Sequence, residues 1–206
     1  VDYFGKPGVG QAYFWPVNVK GNPPKINEFV YDHNGTDTSE FVEVFGMPST
    51  DYSNYSILQL EGNNPDAFGV INSVDEVGTT DENGIWWTGF FSGRYQNESP
   101  SFLLVKDFSG SVGDDLDTND DGVIDVEPWS ALVDTIAVEH DSSHKAYGST
   151  ILYYQYDGLP FSPGGASRIP DWYDTESITD WIRNDWDLAG IPGETGTIDF
   201  GEAYNT

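Results

Sequence analysis

The chain has no cysteine, which removes disulfides, thiol nucleophiles and thiolate metal sites together. It is poor in positive charge: eight Lys and Arg stand against 35 Asp and Glu, a formal net charge of −27. Such a surface repels a phosphate backbone, so no nucleic-acid partner is expected. Repulsion from an anionic membrane surface follows on the same ground. No apolar run approaches the roughly 20 residues of a membrane-spanning helix, so no membrane span is expected. Divalent cations or a salty medium suit this charge, because ions screen its self-repulsion. The plainer account is solvation in a saline habitat. The first residue is Val1 rather than Met, which suits a processed, secreted protein found outside the cell or on its surface.

What is present points to strands. With 206 residues the chain can bury a core without disulfides, and 15% aromatics supply bulky core material. The 23 Gly and 12 Pro imply many turns. Apolar runs recur between turn residues at 26–31, 40–45, 56–61, 67–73, 85–91, 102–105, 132–138 and 151–155. Leu58 and Leu60 alternate with Gln59 and Glu61, the period of a half-buried strand. Strands at this spacing without interposed helices predict an all-β sandwich. One segment breaks the pattern. Ser177 and Asp180 form a capping-box spacing, and Ile178, Trp181, Ile182 and Trp186 share a helical face, so a short C-terminal helix ending at Gly190 is expected. Residues 1–25 read as a separate N-terminal arm, with one strand over Gln11–Val19 and a stiff Pro23-Pro24 connection. The arm carries Tyr3, Phe4, Tyr13, Phe14 and Trp15, too much apolar surface to leave in water. It is expected to cover the edge of its own sheet or to pair with a neighbouring copy, which would make the protein self-assembling.

Ile26-Asn27-Glu28-Phe29 is followed by Thr36-Asp37-Thr38-Ser39-Glu40-Phe41-Val42-Glu43-Val44-Phe45. Later come Ala166-Ser167-Arg168-Ile169-Pro170-Asp171 and Gly201-Glu202-Ala203-Tyr204-Asn205-Thr206. These short motifs resemble the opening and closing segments of bacterial lamin-tail domains. The resemblance spans residues 26–206 and implies an immunoglobulin-like β-sandwich. Such domains are commonly extracellular and attached to hydrolases, nucleases or surface proteins. The resemblance implies no chemistry of the domain's own. Long insertions and the N-terminal arm depart from the compact family form.

The strongest local signal is Asp117-Thr118-Asn119-Asp120-Asp121-Gly122-Val123-Ile124-Asp125, inside an acidic insertion at 114–128. It fits the D-x-N-x-D-G-x-x-D pattern of a calcium loop. Calcium is a hard cation that takes six to eight oxygens. Asp117, Asn119 and Asp121 can converge because Gly122 allows the sharp turn. The Val123 carbonyl supplies the next ligand, and Asp125 binds directly or through water. Pro128 stands where the usual last carboxylate would be, so Asp114, Asp115 or Glu127 is the candidate replacement. No helical pattern flanks the loop, so the calcium is expected to be structural rather than a sensor. The plain alternative is a solvated acidic turn.

Other signals are weaker. Asp171, Asp174, Glu176, Asp180, Asp185 and Asp187 could bind a second cation, or cap a turn and face water. His140 and His144 would suit zinc on a helix, but their context reads as a loop. Trp86-Trp87, Tyr153-Tyr154 and Trp172-Tyr173 could stack on sugar rings. Adjacent strand residues point to opposite faces, so one of each pair is expected in the core. Asn34, Asn54 and Asn97 fit the N-glycosylation pattern. There is no Gly-x-Ser-x-Gly elbow and no phosphate loop, so no enzyme is expected. The sequence therefore predicts an extracellular structural or adhesive module stabilised by Ca2+. Its partners would be copies of itself, carbohydrate or other surface proteins. The alternative is an accessory substrate-binding domain of a secreted hydrolase or nuclease.

Overall fold

Residues 23–32 and 36–183 are described by the computed structural model. Among these residues ten strands form two five-stranded sheets. The strands are β1 (Lys25–Val30), β2 (Phe41–Phe45), β3 (Tyr55–Leu60), β4 (Ile71–Glu76) and β5 (Ile85–Trp87). They continue with β6 (Ser101–Lys106), β7 (Ala131–Glu139), β8 (Thr150–Tyr153), β9 (Gly165–Arg168) and β10 (Trp181–Arg183). The first sheet runs β10-β9-β1-β2-β5 and the second β4-β3-β6-β7-β8. Strands β1 to β7 thus follow an immunoglobulin-like order, β1-β2-β5 facing β4-β3-β6-β7. The last three strands extend it: β8 pairs parallel to β7, while β9 and β10 widen the first sheet beyond β1.

The core explains why β6 shows no alternation. In Ser101–Lys106, Phe102 and Leu104 pack between the sheets, whereas Leu103 and Val105 join a second apolar cluster. That second cluster holds Leu58, Leu60, Ile71, Leu116 and Tyr147, with Ile124 and Trp129 against it. Leu116, Ile124 and Trp129 belong to the long connection between β6 and β7. This connection lies over the second sheet as a partial third layer, so β3 and β6 are buried on both faces: β6 reads as a near-continuous apolar run, whereas in β3 Gln59, expected on a solvent face, is fully buried beside Leu58 and Leu60.

The expected C-terminal helix is corrected. Ser177 and Asp180 do form a capping box, but it starts a single 3-10 turn, Ile178–Asp180. The chain then enters β10, where Trp181 and Arg183 are buried and Ile182 is exposed. Trp181 stacks edge-on against Phe29 in the inter-sheet core, with ring centroids 5.8 Å apart. Tertiary packing and pairing with β9 override the helical spacing. The expected positions Trp186 and Gly190 lie outside the described residues, as do the Gln11–Val19 strand and the motif at 201–206. β1 begins at Lys25, which therefore belongs to the sandwich rather than to the arm.

Candidate functional site

The loop from Asp114 to Asp125 is fixed at both ends. Leu116 is fully buried, its N–H donates to the Gly69 carbonyl, and its carbonyl accepts from Asp125 N–H at 2.7 Å. Gly69 is required here: it has φ +74°, and a Cβ on it would lie 2.5 Å from the Asp117 Cβ. Within the loop, Asp120 (φ 58°) and Gly122 (φ 92°) take left-handed conformations and turn the chain back on itself.

The Asp117 carboxylate is the centre of the turn and is fully buried. Its Oδ1 accepts from Asp121 N–H at 3.1 Å, and its Oδ2 accepts from Gly122 N–H at 2.8 Å. The Tyr147 hydroxyl donates to the same Oδ2 at 2.7 Å. Burial, the Asp117 hydrogen bond and the nearby Asp charges all push the Tyr147 phenol well above its ordinary range. Asn119 Oδ1 accepts from Asp121 N–H at 3.0 Å, and Asp121 Oδ1 accepts from Val123 N–H at 2.9 Å. Asp125 Oδ2 accepts from the Thr118 hydroxyl at 2.8 Å. Asp115 accepts from Asp117 N–H and Asp114 from Ser111 N–H, so both brace the backbone on the entry side. Glu127 lies at the exposed exit.

The donor set is oxygen throughout, as a hard cation requires. Among the described residues, no three His, Asp or Glu side chains are arranged to hold a metal ion. The loop oxygens are instead turned to hydrogen-bond donors of the loop itself. Among those residues no Lys or Arg pairs with a carboxylate of the loop. Lys145 lies beside the turn: a Cβ on Gly122 would lie 3.6 Å from its Nζ. Tyr147, Lys145 and Gly69 carry no sequence signal tying them to Asp117, because each reaches the loop only through the fold.

The other acidic cluster is already occupied by protein groups. Asp174 binds Lys25 at 2.6 Å and Arg168 at 2.9 Å. Burial raises the Asp174 carboxyl, but its bonds to Lys25 and Glu176 N–H leave it below the usual range. Asp180 is buried and accepts from the main chain and hydroxyl of Thr175. Asp171 accepts from Asn27, whose amide also donates to Glu43 at 2.8 Å. Burial pushes Glu43 up to about 7, in spite of that bond. Asp185 and Asp187 lie outside the described residues, as does His33.

His140 and His144 do lie in a loop. Their rings stack with centroids 6.4 Å apart, and each Nδ1 bonds a serine, Ser162 at 2.7 Å and Ser99 at 2.8 Å. Of the three aromatic pairs one divides as expected and two do not. Trp86 packs on the core while Trp87 is exposed. Tyr153 and Tyr154 are both exposed, because β8 ends at Tyr153 and strand alternation stops there. Trp172 and Tyr173 are both exposed in the turn after the cis Ile169–Pro170 bond.

No family model matches the chain, and no curated protein or solved structure matches it either. The lamin-tail resemblance therefore rests on its short motifs. Ile26–Phe29 lies in β1, Phe41–Phe45 forms β2, and Ala166–Arg168 lies in β9. All three fall in the first sheet.

Proposed function

We propose that this chain is an extracellular structural module of lamin-tail type whose acidic connection is stabilised by one calcium ion. The observation that carries the reading is the buried Asp117 carboxylate, held among the described residues by N–H groups and a phenol and by no basic side chain. A buried carboxylate without a cation is costly, and a bound cation offsets that cost. Asp117, Asn119, Asp121, the Val123 carbonyl and Asp125 would hold it, with Asp114, Asp115 or Glu127 completing the shell. Side-chain rotation of Asn119 and Asp121 releases their oxygens for this. The ion would neutralise an insertion that otherwise repels itself, and would tie the third layer to the second sheet.

The test is thermal unfolding with calcium and with chelator. The wild type is expected to melt higher in millimolar calcium, by the equivalent of about 1.4 kcal/mol at ten times the dissociation constant. Asp121→Ala should abolish that difference. Identical wild-type curves in calcium and chelator overturn the reading.

One observation favours a second reading, a substrate-binding domain attached to a secreted hydrolase or nuclease. Trp87, Phe90, Tyr153, Tyr154, Trp172 and Tyr173 all present exposed rings of the kind that stack on sugars.

A further inference from the structure

Among the described residues, one stretch of the second sheet's edge has no partner strand. β8 pairs with β7 only from Ile136 to Glu139. On the side away from β6, no described strand pairs with Ala131–Thr135. Val133 is the extra residue of a bulge, since Leu104 faces Asp134 and Val105 faces Leu132 in the β6 register. Thr135 N–H is capped by the Asp134 side chain at 2.9 Å, and its hydroxyl binds Ser149 at 3.1 Å, which closes the upper end. Below that point lies a groove of about 730 Å³. It is lined by Leu132–Thr135, by Val123, Ile124 and Glu127 of the acidic loop, by residues 146–149 and by Glu176. Leu132 is 45% exposed and Val123 62% exposed, so the groove presents apolar surface with an acidic border.

We infer that this groove is the docking site of residues 11–19 of the same chain, added as a strand along Ala131–Thr135. Three observations select that segment. The first is position. Ile26 N–H donates to Asp134 Oδ2 at 2.8 Å, so the chain upstream of β1 starts beside the groove. Residues 20–24 can span about 17 Å, enough to return along an edge about 13 Å long. Residues beyond Arg183 leave from the other end of β1, because Arg183 pairs with Ala166 and Ala166 with Phe29. The second is pattern. Tyr13, Trp15, Val17 and Val19 recur at every second position, which gives an added strand one apolar face. Pro16 lacks an N–H and is tolerated on a strand with one open side. The third is charge. Residues 1–22 carry Lys6 and Lys20 against Asp2 alone, in a chain of net charge −27. They are the one segment suited to a border of Glu127 and Glu176. The same net charge opposes close approach of a second copy, which favours docking within one chain.

The absence of native cysteine makes cross-linking a clean test. Leu132→Cys is combined in the full chain with Tyr13→Cys, Trp15→Cys, Val17→Cys or Val19→Cys, one at a time, and oxidised mildly. At least one pair is expected to close within the monomer, read as a faster-migrating band. Val112→Cys, at an exposed position in another loop, replaces Leu132→Cys as the control and should not cross-link. In the unmodified chain, the Val133 amide should exchange at least about tenfold more slowly than the Val112 amide. Disulfide-linked dimers would assign the arm to a neighbouring copy and overturn the inference. Cross-linking of Leu132→Cys to Ile198→Cys but to no arm position would give the groove to the C-terminal residues and overturn it too. So would the lack of any cross-link above control, or a Val133 amide as fast as Val112.

Discussion

The two ends of the second sheet's surface handle buried acid in opposite ways. At the inter-sheet seam, Asp134 and Asp174 are met by Arg168, whose guanidinium is almost wholly buried. Arg168 also donates to the Ile26 carbonyl at 2.8 Å and lies over the Trp181 ring at 4.4 Å. One cation thereby joins β7, β1, β9 and β10. Burial still pushes the Asp134 carboxyl up against the pull of Arg168. In the connection above the same sheet, Asp117 is equally buried, and among the described residues no Lys or Arg pairs with it. The seam carries its counter-charge in the sequence. Under the calcium proposal the loop would collect one from solution, and that difference would separate a permanent joint from a conditional one.

The largest expected effect breaks the seam. Arg168→Met leaves Asp134 buried without its partner and should cost about 3–5 kcal/mol in denaturant unfolding. Combining it with Asp134→Leu should recover most of the loss, since an apolar pair replaces the ionic one. Recovery of nothing would mean that Arg168 acts through its carbonyl and Trp181 contacts instead. A smaller effect separates the seam from Glu43, which has neither an arginine nor a candidate ion. Its carboxyl sits near 7 when folded against about 4.3 unfolded, so the native state holds the proton more tightly. Stability should therefore fall as pH rises from about 4.3 to about 7 and level off above that. Glu43→Gln should flatten this slope and gain on the order of 1 kcal/mol at pH 8, measured by urea unfolding. The smallest effect is general. Raising monovalent salt tenfold at constant calcium should stabilise the fold by a few tenths of a kcal/mol, by screening the net charge of −27. A flat response would mean that bound ions already neutralise the acids.

Much of the sandwich was legible because its strands are bounded by turn residues. The runs at 26–31, 56–61, 102–105 and 132–138 fall on β1, β3, β6 and β7. The run at 67–73 is displaced, and β4 occupies Ile71–Glu76 instead. There Gly69 is drawn against Asp117 and the chain before Ile71 is folded onto the loop. β9 was missed because Gly165-Ala166-Ser167-Arg168 has no apolar period and buries an arginine. β10 was mistaken for helix because Ile178, Trp181 and Ile182 satisfy a helical face over too few residues to outweigh pairing. The loop itself was readable from Asp117, Asn119, Asp121 and Gly122. Tyr147 was not, since its contact with Asp117 spans 30 positions and arises from the return of the chain after β7.

The location of the basic side chains also bears on survival among proteases. Enzymes of tryptic specificity need a lysine or arginine on a strip of chain that can enter their cleft. Between Lys25 and Arg183, Arg168 and Arg183 are interior. Arg94 is clamped on Asp75, and Lys25 on Asp174. Lys106 ends a central strand, and Lys145 has its N–H tied to the Gly62 carbonyl. Residues 25–183 consequently offer such enzymes few places to begin, and digestion within them should start only where the fold has first opened.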